Sequence, residues 1–337
     1  MEGRTVDGAI RLPPEARQQF HEPRGVGRPT ADGLELTWVE AAYLALRGDL
    51  TAVDGGDAAD VLTSPPDDAA LDRLLVYRDL RDRGYYLAPT YPPGTTPAPG
   101  AVALEVRPRG AEPTGDAVAH HVRVLREGAS VAVEALEPGT LAIVDDEAEV
   151  TYLEVEAADP RDDQPPLEVA PVRGVLAGGR VLVGEPPAAL HRRWFLGSTL
   201  GDDRLALSLP EAAYLAGADR LVIDGGAEAI AERGRAIEGA SFDRRARVYA
   251  SLRERGLVPR SGLKFGADFR VYGAIEDAAE PGHSRLLVEV VPADATLPVR
   301  SLSRAVRLAT GVRKRHVVAT VDADGDIAWR GVGRLTP

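Results

Sequence analysis

Cysteine is missing from all 337 residues of this chain, and there is one methionine. Without thiols there is no disulfide, no thiolate metal centre and no cysteine nucleophile. No stretch approaches the roughly 18 apolar residues that cross a bilayer, and Met1-Glu2-Gly3-Arg4 does not begin a basic-then-apolar leader. A soluble, cytoplasmic chain with no membrane partner is expected. Lysine is nearly absent: of 40 Lys and Arg residues only Lys264 and Lys314 are lysines. Where Arg has replaced almost every Lys, two survivors in one region point to a local need for an ammonium.

An excess of positive charge is missing too. There are 52 acidic residues, the net charge is −12 and the pI is about 5.1. That argues against a broad nucleic-acid-binding face but not against a small basic cleft, because net charge describes the whole surface. An acid-rich, Arg-rich, Lys-poor chain has a halophile-like composition. In strong salt any nucleic-acid affinity rests on stacking and close contact, since long-range attraction is screened. There is no Gly-x-x-x-x-Gly-Lys-Ser/Thr loop for phosphates. No carboxylate stands two residues before either lysine, where Gly262 and Val312 lie, so the usual metal-nuclease pairing is missing. His120-His121 has no third ligand nearby, and no metal site is expected.

What is present is an internal repeat. Glu40-Ala41-Ala42-Tyr43-Leu44-Ala45 returns as Glu211-Ala212-Ala213-Tyr214-Leu215-Ala216, and 76–84 returns as 248–256. VALEVRP at 102–108 resembles LLVEVVP at 286–292, and 142–146 resembles 319–323. Four collinear matches imply a tandem duplication, since two copies are too few for a solenoid. The expected fold is mixed α+β. Each copy has a small α+β amino-terminal part and a mixed β-sheet flanked by helices. The copies are 1–160 (parts about 1–68 and 69–160) and 167–337 (parts about 167–240 and 241–337). The polar, Pro-rich stretch 159–166 reads as the linker. Ser208 with Glu211, and Thr37 with Glu40, predict helix starts. Helices are expected near 242–255 and 301–311, and strands at 268–272, 285–291, 317–321 and 327–331.

The second copy carries KFGADFRVY with Tyr272, then Pro281-Gly282-His283-Ser284, then Val312-Arg313-Lys314. A phenol, an imidazole and an ammonium are sufficient to cut RNA without a metal. In this order and spacing they resemble the archaeal tRNA-splicing endonucleases, or tRNA-intron lyases, of the two-repeat type. The likeness covers most of the chain and is sharpest from Val248 to Trp329.

The resemblance implies a homodimeric, cofactor-free endonuclease. Its substrate would be precursor tRNA with a bulge-helix-bulge motif, and its products a 2′,3′-cyclic phosphate and a 5′-hydroxyl. It casts Tyr272 as base, His283 as acid and Lys314 as electrostatic stabiliser. The phenol either takes the proton or only orients the 2′-hydroxyl, and the sequence leaves both open. The resemblance further points to Arg307, and to Arg330 or Arg334, as an arginine clamp for a bulged base. It points to Asp145, Asp146 and Glu147 as an acidic loop docking on the partner chain. The first copy is expected to be a degenerate structural repeat, with Pro99 opposite His283 and Glu137 opposite Lys314. The alternative is a non-catalytic structural subunit or RNA-binding scaffold of the same fold. Retention of Tyr272, His283 and Lys314 in the second copy speaks against it.

Overall fold

Two reciprocal caps start the helices on which the small layers are built. Thr37 accepts the amide of Glu40, and the Glu40 carboxylate accepts the amide of Thr37, at the start of α1 (Trp38–Leu46). Ser208 and Glu211 do the same for α3 (Leu209–Gly217). Each capping glutamate is buried and takes one more backbone amide from an earlier loop: Gly27 at 2.7 Å for Glu40 and Gly197 at 3.0 Å for Glu211. A buried carboxylate is tolerated where its lone pairs are occupied. The computed structural model describes residues 1–201 and 203–337. In it, α1 packs with a small sheet drawn from residues 2–57, and α3 with one drawn from 172–222.

The larger layer is a single ten-stranded sheet. Its strands are β1 (Leu87–Pro89), β2 (Val102–Val106), β3 (His120–Arg126), β4 (Gly139–Val144), β5 (Val150–Ala157), β6 (Val258–Ser261), β7 (Phe269–Tyr272), β8 (Leu286–Pro292), β9 (Arg315–Val321) and β10 (Ile327–Leu335). The order is β6-β7-β8-β9-β10-β5-β4-β3-β2-β1. Five strands from each half therefore run outward from an antiparallel seam, β5 against β10, extending from Tyr152↔Leu335 to Ala157↔Arg330. Helix α2 (Ala70–Asp82) belongs to the first half, and α4 (Gly226–Glu238) and α5 (Ser241–Glu254) belong to the second. Mixed α+β architecture follows as expected, and no helix is long and apolar enough to cross a membrane among the described residues.

The halves share detail. Arg81 donates to the Tyr77 hydroxyl and to the carbonyl of Arg24; Arg253 donates to the Tyr249 hydroxyl and to the carbonyl of Trp194. Asp145 caps its turn by accepting the amides of Glu147 and Glu149, as Asp322 does with those of Asp324 and Asp326. One difference bears on the strand ends. Parallel neighbours need a crossover, and between β8 and β9 it is helix α6 (Val299–Gly311). Between β3 and β4 there is a short strand and one tight turn at Val133–Ala135. Helix α6 lies on a core shared by both halves, in which Leu141, Leu153 and Val155 meet Val299, Leu302 and Val306.

The alignment of 102–108 with 286–292 is corrected by the topology. The first is the second strand of its half, and the second is the third. Short buried strands alternate Val and Leu around one Glu almost interchangeably, so seven residues do not fix register. The stretch 159–166 lacks regular structure, as a linker does, but it is held down. Gln164 is buried, donates to the carbonyl of Arg193 and accepts the amide of Ile275; the amide of Asp162 donates to the carbonyl of Arg255.

Candidate active site

Register brings three chain segments to one end of neighbouring strands. Val271 pairs with Leu286 across β7 and β8, and Leu286 pairs with Arg315 across β8 and β9. The end of β7 is Tyr272, the approach to β8 is His283-Ser284-Arg285, and the residue before β9 is Lys314. The Arg285 amide donates to the carbonyl of Val271 and the Arg315 amide to that of Arg285, continuing the ladder to this edge. Adjacent strands lie about 4.8 Å apart, so the ends of β7 and β9 stand about 10 Å apart with the approach to β8 between them.

Lys314 is fixed by the way α6 ends. Its amide donates to the carbonyl of Ala309, and that of Arg313 to the carbonyl of Thr310. These are the crossed bonds of a left-handed helix terminus, a position that favours glycine. Here Arg313 occupies it, at φ 56°. The Lys314 ammonium donates to the carbonyl of Ser284 at 3.0 Å, and its Nζ lies 5.5 Å from the centre of the Phe265 ring. Ser284 is buried and His283 beside it is exposed, so the ammonium is tied to the segment that carries the imidazole. Neither lysine joins an ion pair among the described residues; every such pair uses Arg or His.

Tyr272 is only 6% exposed. Its ring packs in a cluster with Val258 and Ile275, 5.9 Å from the Phe195 ring, with the Arg270 guanidinium 5.6 Å from its centre. That packing fixes the phenol's direction. Two residues beyond His283, Arg285 pairs with Asp162 at 2.6 Å. Burial pushes the Asp162 carboxyl up, but the amides of Asp163 and Ala274 and the Arg285 guanidinium outweigh it, leaving the group below its ordinary value. Residues 159–166 are thereby tied to the segment that carries His283.

The other anticipated residues are dispersed. Arg330 donates to the carbonyl of Leu136 and to the Thr320 hydroxyl, bridging the two halves. Arg334 is exposed, and continuing the β9–β10 register from His316↔Val332 sets it opposite Lys314. Arg307, also exposed, lines a cleft of about 260 Å³ with Arg300, Arg304, Glu127 and Asp145. Asp146 and Glu147 are exposed at the turn beyond Asp145.

In the first half the equivalent sheet positions carry other chemistry. Counting from Gly84 and Gly256 through the β1–β2 and β6–β7 registers, Arg107 stands where Tyr272 does. The parallel pairs put Ala117, not Pro99, opposite His283. Glu137 stands opposite Lys314 and is paired with Arg123. Sequence reading missed Phe265, Ser284, Arg285 and Asp162. Phe265 and Ser284 lie inside motifs that it quoted, but a carbonyl leaves no mark in a sequence.

An anchored ammonium, a packed phenol and an exposed imidazole on neighbouring strand ends are groups that nucleolytic chemistry can use. Comparison with known proteins makes this specific. The family model for the tRNA intron endonuclease N-terminal domain matches residues 1–63 and again 172–233. The model for the tRNA intron endonuclease catalytic C-terminal domain matches 242–329, which includes Tyr272, His283 and Lys314. The chain is 46% identical, over the full length of both chains, to the tRNA-splicing endonucleases of Natronomonas pharaonis and Haloferax volcanii. It is 33% identical to that of Methanosarcina mazei, with 95% of each chain covered. The chain belongs to the tRNA intron endonuclease family.

Proposed function

We propose that this enzyme excises introns from precursor tRNA by cutting at bulge-helix-bulge junctions, in the cytoplasm and as a homodimer. The observation that carries the reading is the 3.0 Å bond from the Lys314 ammonium to the carbonyl of Ser284, next to His283 and one strand from Tyr272. The ribose 2′-oxygen attacks its own 3′-phosphorus, losing its proton toward Tyr272. Negative charge builds on the non-bridging oxygens beside Lys314, a compact point charge suited to a crowded phosphate. The bond from phosphorus to the 5′-oxygen breaks, and His283 donates the proton to the departing oxygen. The products are a 2′,3′-cyclic phosphate and a 5′-hydroxyl.

The chain is read as a duplicated unit, 1–160 and 167–337, whose first copy scaffolds. Arg107, Ala117 and Glu137 in place of the three working groups support this. Of the two carboxy-terminal arginines, Arg334 is the better base clamp with Arg307, because the Arg330 guanidinium is already engaged across the seam. The acidic turn Asp145-Asp146-Glu147 is assigned to the dimer contact as a charge-complementary surface.

End-group analysis of cut precursor tRNA tests the chemistry: a cyclic phosphate is expected. A 2′-deoxy nucleotide at the cut removes the nucleophile, and cutting that persists there refutes the mechanism.

A further inference from the structure

One exposed structure beside the site is unused by this chemistry. Between β6 and β7 the chain makes a closed turn, 262–266. The amides of Phe265 and Ala267 both donate to the carbonyl of Gly262, whose own amide donates to the carbonyl of Asp268. Gly266 sits at φ 65°, and a Cβ on Gly262 would meet the carbonyl of Ala267 at 2.5 Å. The turn is thus rigid, and it displays its side chains by construction. Leu263 is 83% exposed, above any other exposed large hydrophobic side chain described. Lys264, one of the two lysines, is exposed and outside every ion pair noted above. Phe265 reaches back to Lys314 Nζ. In a chain of net charge −12, whose arginines are repeatedly matched to carboxylates, an unmatched cation next to a bare leucine is not a solubilising surface.

We propose that this turn is a substrate-contact arm, in which Lys264 meets a backbone phosphate flanking the cut and Leu263 packs against an unstacked base of the bulge. The occupant is the precursor RNA itself, because Phe265 makes the turn continuous with the ammonium that faces the scissile phosphate. This rests on the nuclease reading above. It adds contacts on the catalytic half that are distinct from the arginine clamp.

The test uses the full-length protein and precursor tRNA carrying a 2′-deoxy nucleotide at the cut, with affinity measured across a salt series. Lys264→Ala should flatten the slope of log K against log salt by about 0.7–0.9, one phosphate contact. Lys264→Arg should restore it. Leu263→Ala should weaken bulged RNA about fivefold or more, the scale of the apolar area a buried leucine side chain loses, and leave a fully paired duplex unchanged. Arg4→Ala, an exposed cation of the amino-terminal sheet, should not alter the slope; an equal fall there would make the effect one of net charge and overturn the arm. Unchanged affinity and slope in both turn variants, in a preparation whose wild type cuts the all-ribose RNA, would also overturn the arm while leaving the nuclease reading intact. A wild type that binds but never cuts would refute that reading instead, with the salt slope still deciding the arm. Variants that alter only the protein's mass in light scattering would make the turn a protein contact and sink the proposal.

Discussion

Replacing Lys314 with Met separates the two tasks of its ammonium. Structurally the group makes one charged hydrogen bond to the carbonyl of Ser284 and one contact with the Phe265 ring. The first is worth about 1.5–3 kcal/mol net and the second about 0.5–1 kcal/mol. Met retains most of the aliphatic stem, so the loss of stability should be about 2–4 kcal/mol, a fall in melting temperature of about 3–6 °C for a chain of 337 residues. The chemical loss is separate. A fixed cation aimed at developing phosphate charge resembles an oxyanion donor, whose removal costs about 10²–10³ in rate. Single-turnover cleavage at saturating RNA, run well below the melting transition, reads that factor without contamination from binding or unfolding. Lys314→Arg should not restore it, since a planar fork cannot take the place of a point charge. A Met variant cutting within about threefold of wild type would show that the ammonium only props up the Ser284 segment, and the electrostatic role would fall.

Arg313→Gly should raise the melting temperature by a degree or two. The left-handed backbone costs a side-chain-bearing residue about 1 kcal/mol, partly returned by the freer unfolded glycine; a lower midpoint refutes the strain. Asp162 has a carboxyl held below its ordinary value. Its contribution is therefore present above the unfolded carboxylate range and is lost as pH falls through the lower, folded value. Asp162→Asn should be less stable at neutral pH and lose less on acidification, and parallel acid limbs in pH-dependent unfolding would refute this. His283→Ala should cut turnover about 10²–10⁴-fold with RNA binding retained, and near-normal rates would remove it from the mechanism. Asp145→Arg with Asp146→Arg should halve the mass in light scattering, and an unchanged mass would clear the acidic turn of any role in assembly.

The parts of this molecule that were legible from sequence are those in which neighbours along the chain decide the structure. Ser208 and Glu211 stand at the spacing a reciprocal cap needs, and the cap forms. The turns at Asp145 and Asp322 are equally local, since each aspartate caps amides two and four residues onward. The end of α6 hides its cap, because glycine is the usual sign of a left-handed terminus and Arg313 stands there. Tyr272, His283 and Lys314 are picked out in the sequence by their order, and strand pairing sets their segments side by side. What holds them, the Ser284 carbonyl and the Phe265 ring, depends on which strands become neighbours. The β5–β10 seam is of the same kind: nothing local in Val150–Ala157 says that its partner lies in the other half.

That seam also makes the strand ends of the second half depend on the first. Lys314 is where it is because α6 ends at Gly311 and is capped at Val312, and α6 is where it is because Val299, Leu302 and Val306 are buried. Much of what buries them comes from the first half: Leu136, Leu141, Leu153 and Val155. The Arg330 side chain repeats the dependence from the other direction, reaching back to the carbonyl of Leu136. Without β5, the edge of β10 would be an open strand, and α6 would lose much of the apolar floor that sets its height above the sheet. At the position of Lys314 the first half is free to carry Glu137, whose charge is opposite, because Arg123 matches it there. The packing of α6 against the first half places no demand on the residues at that half's own strand ends.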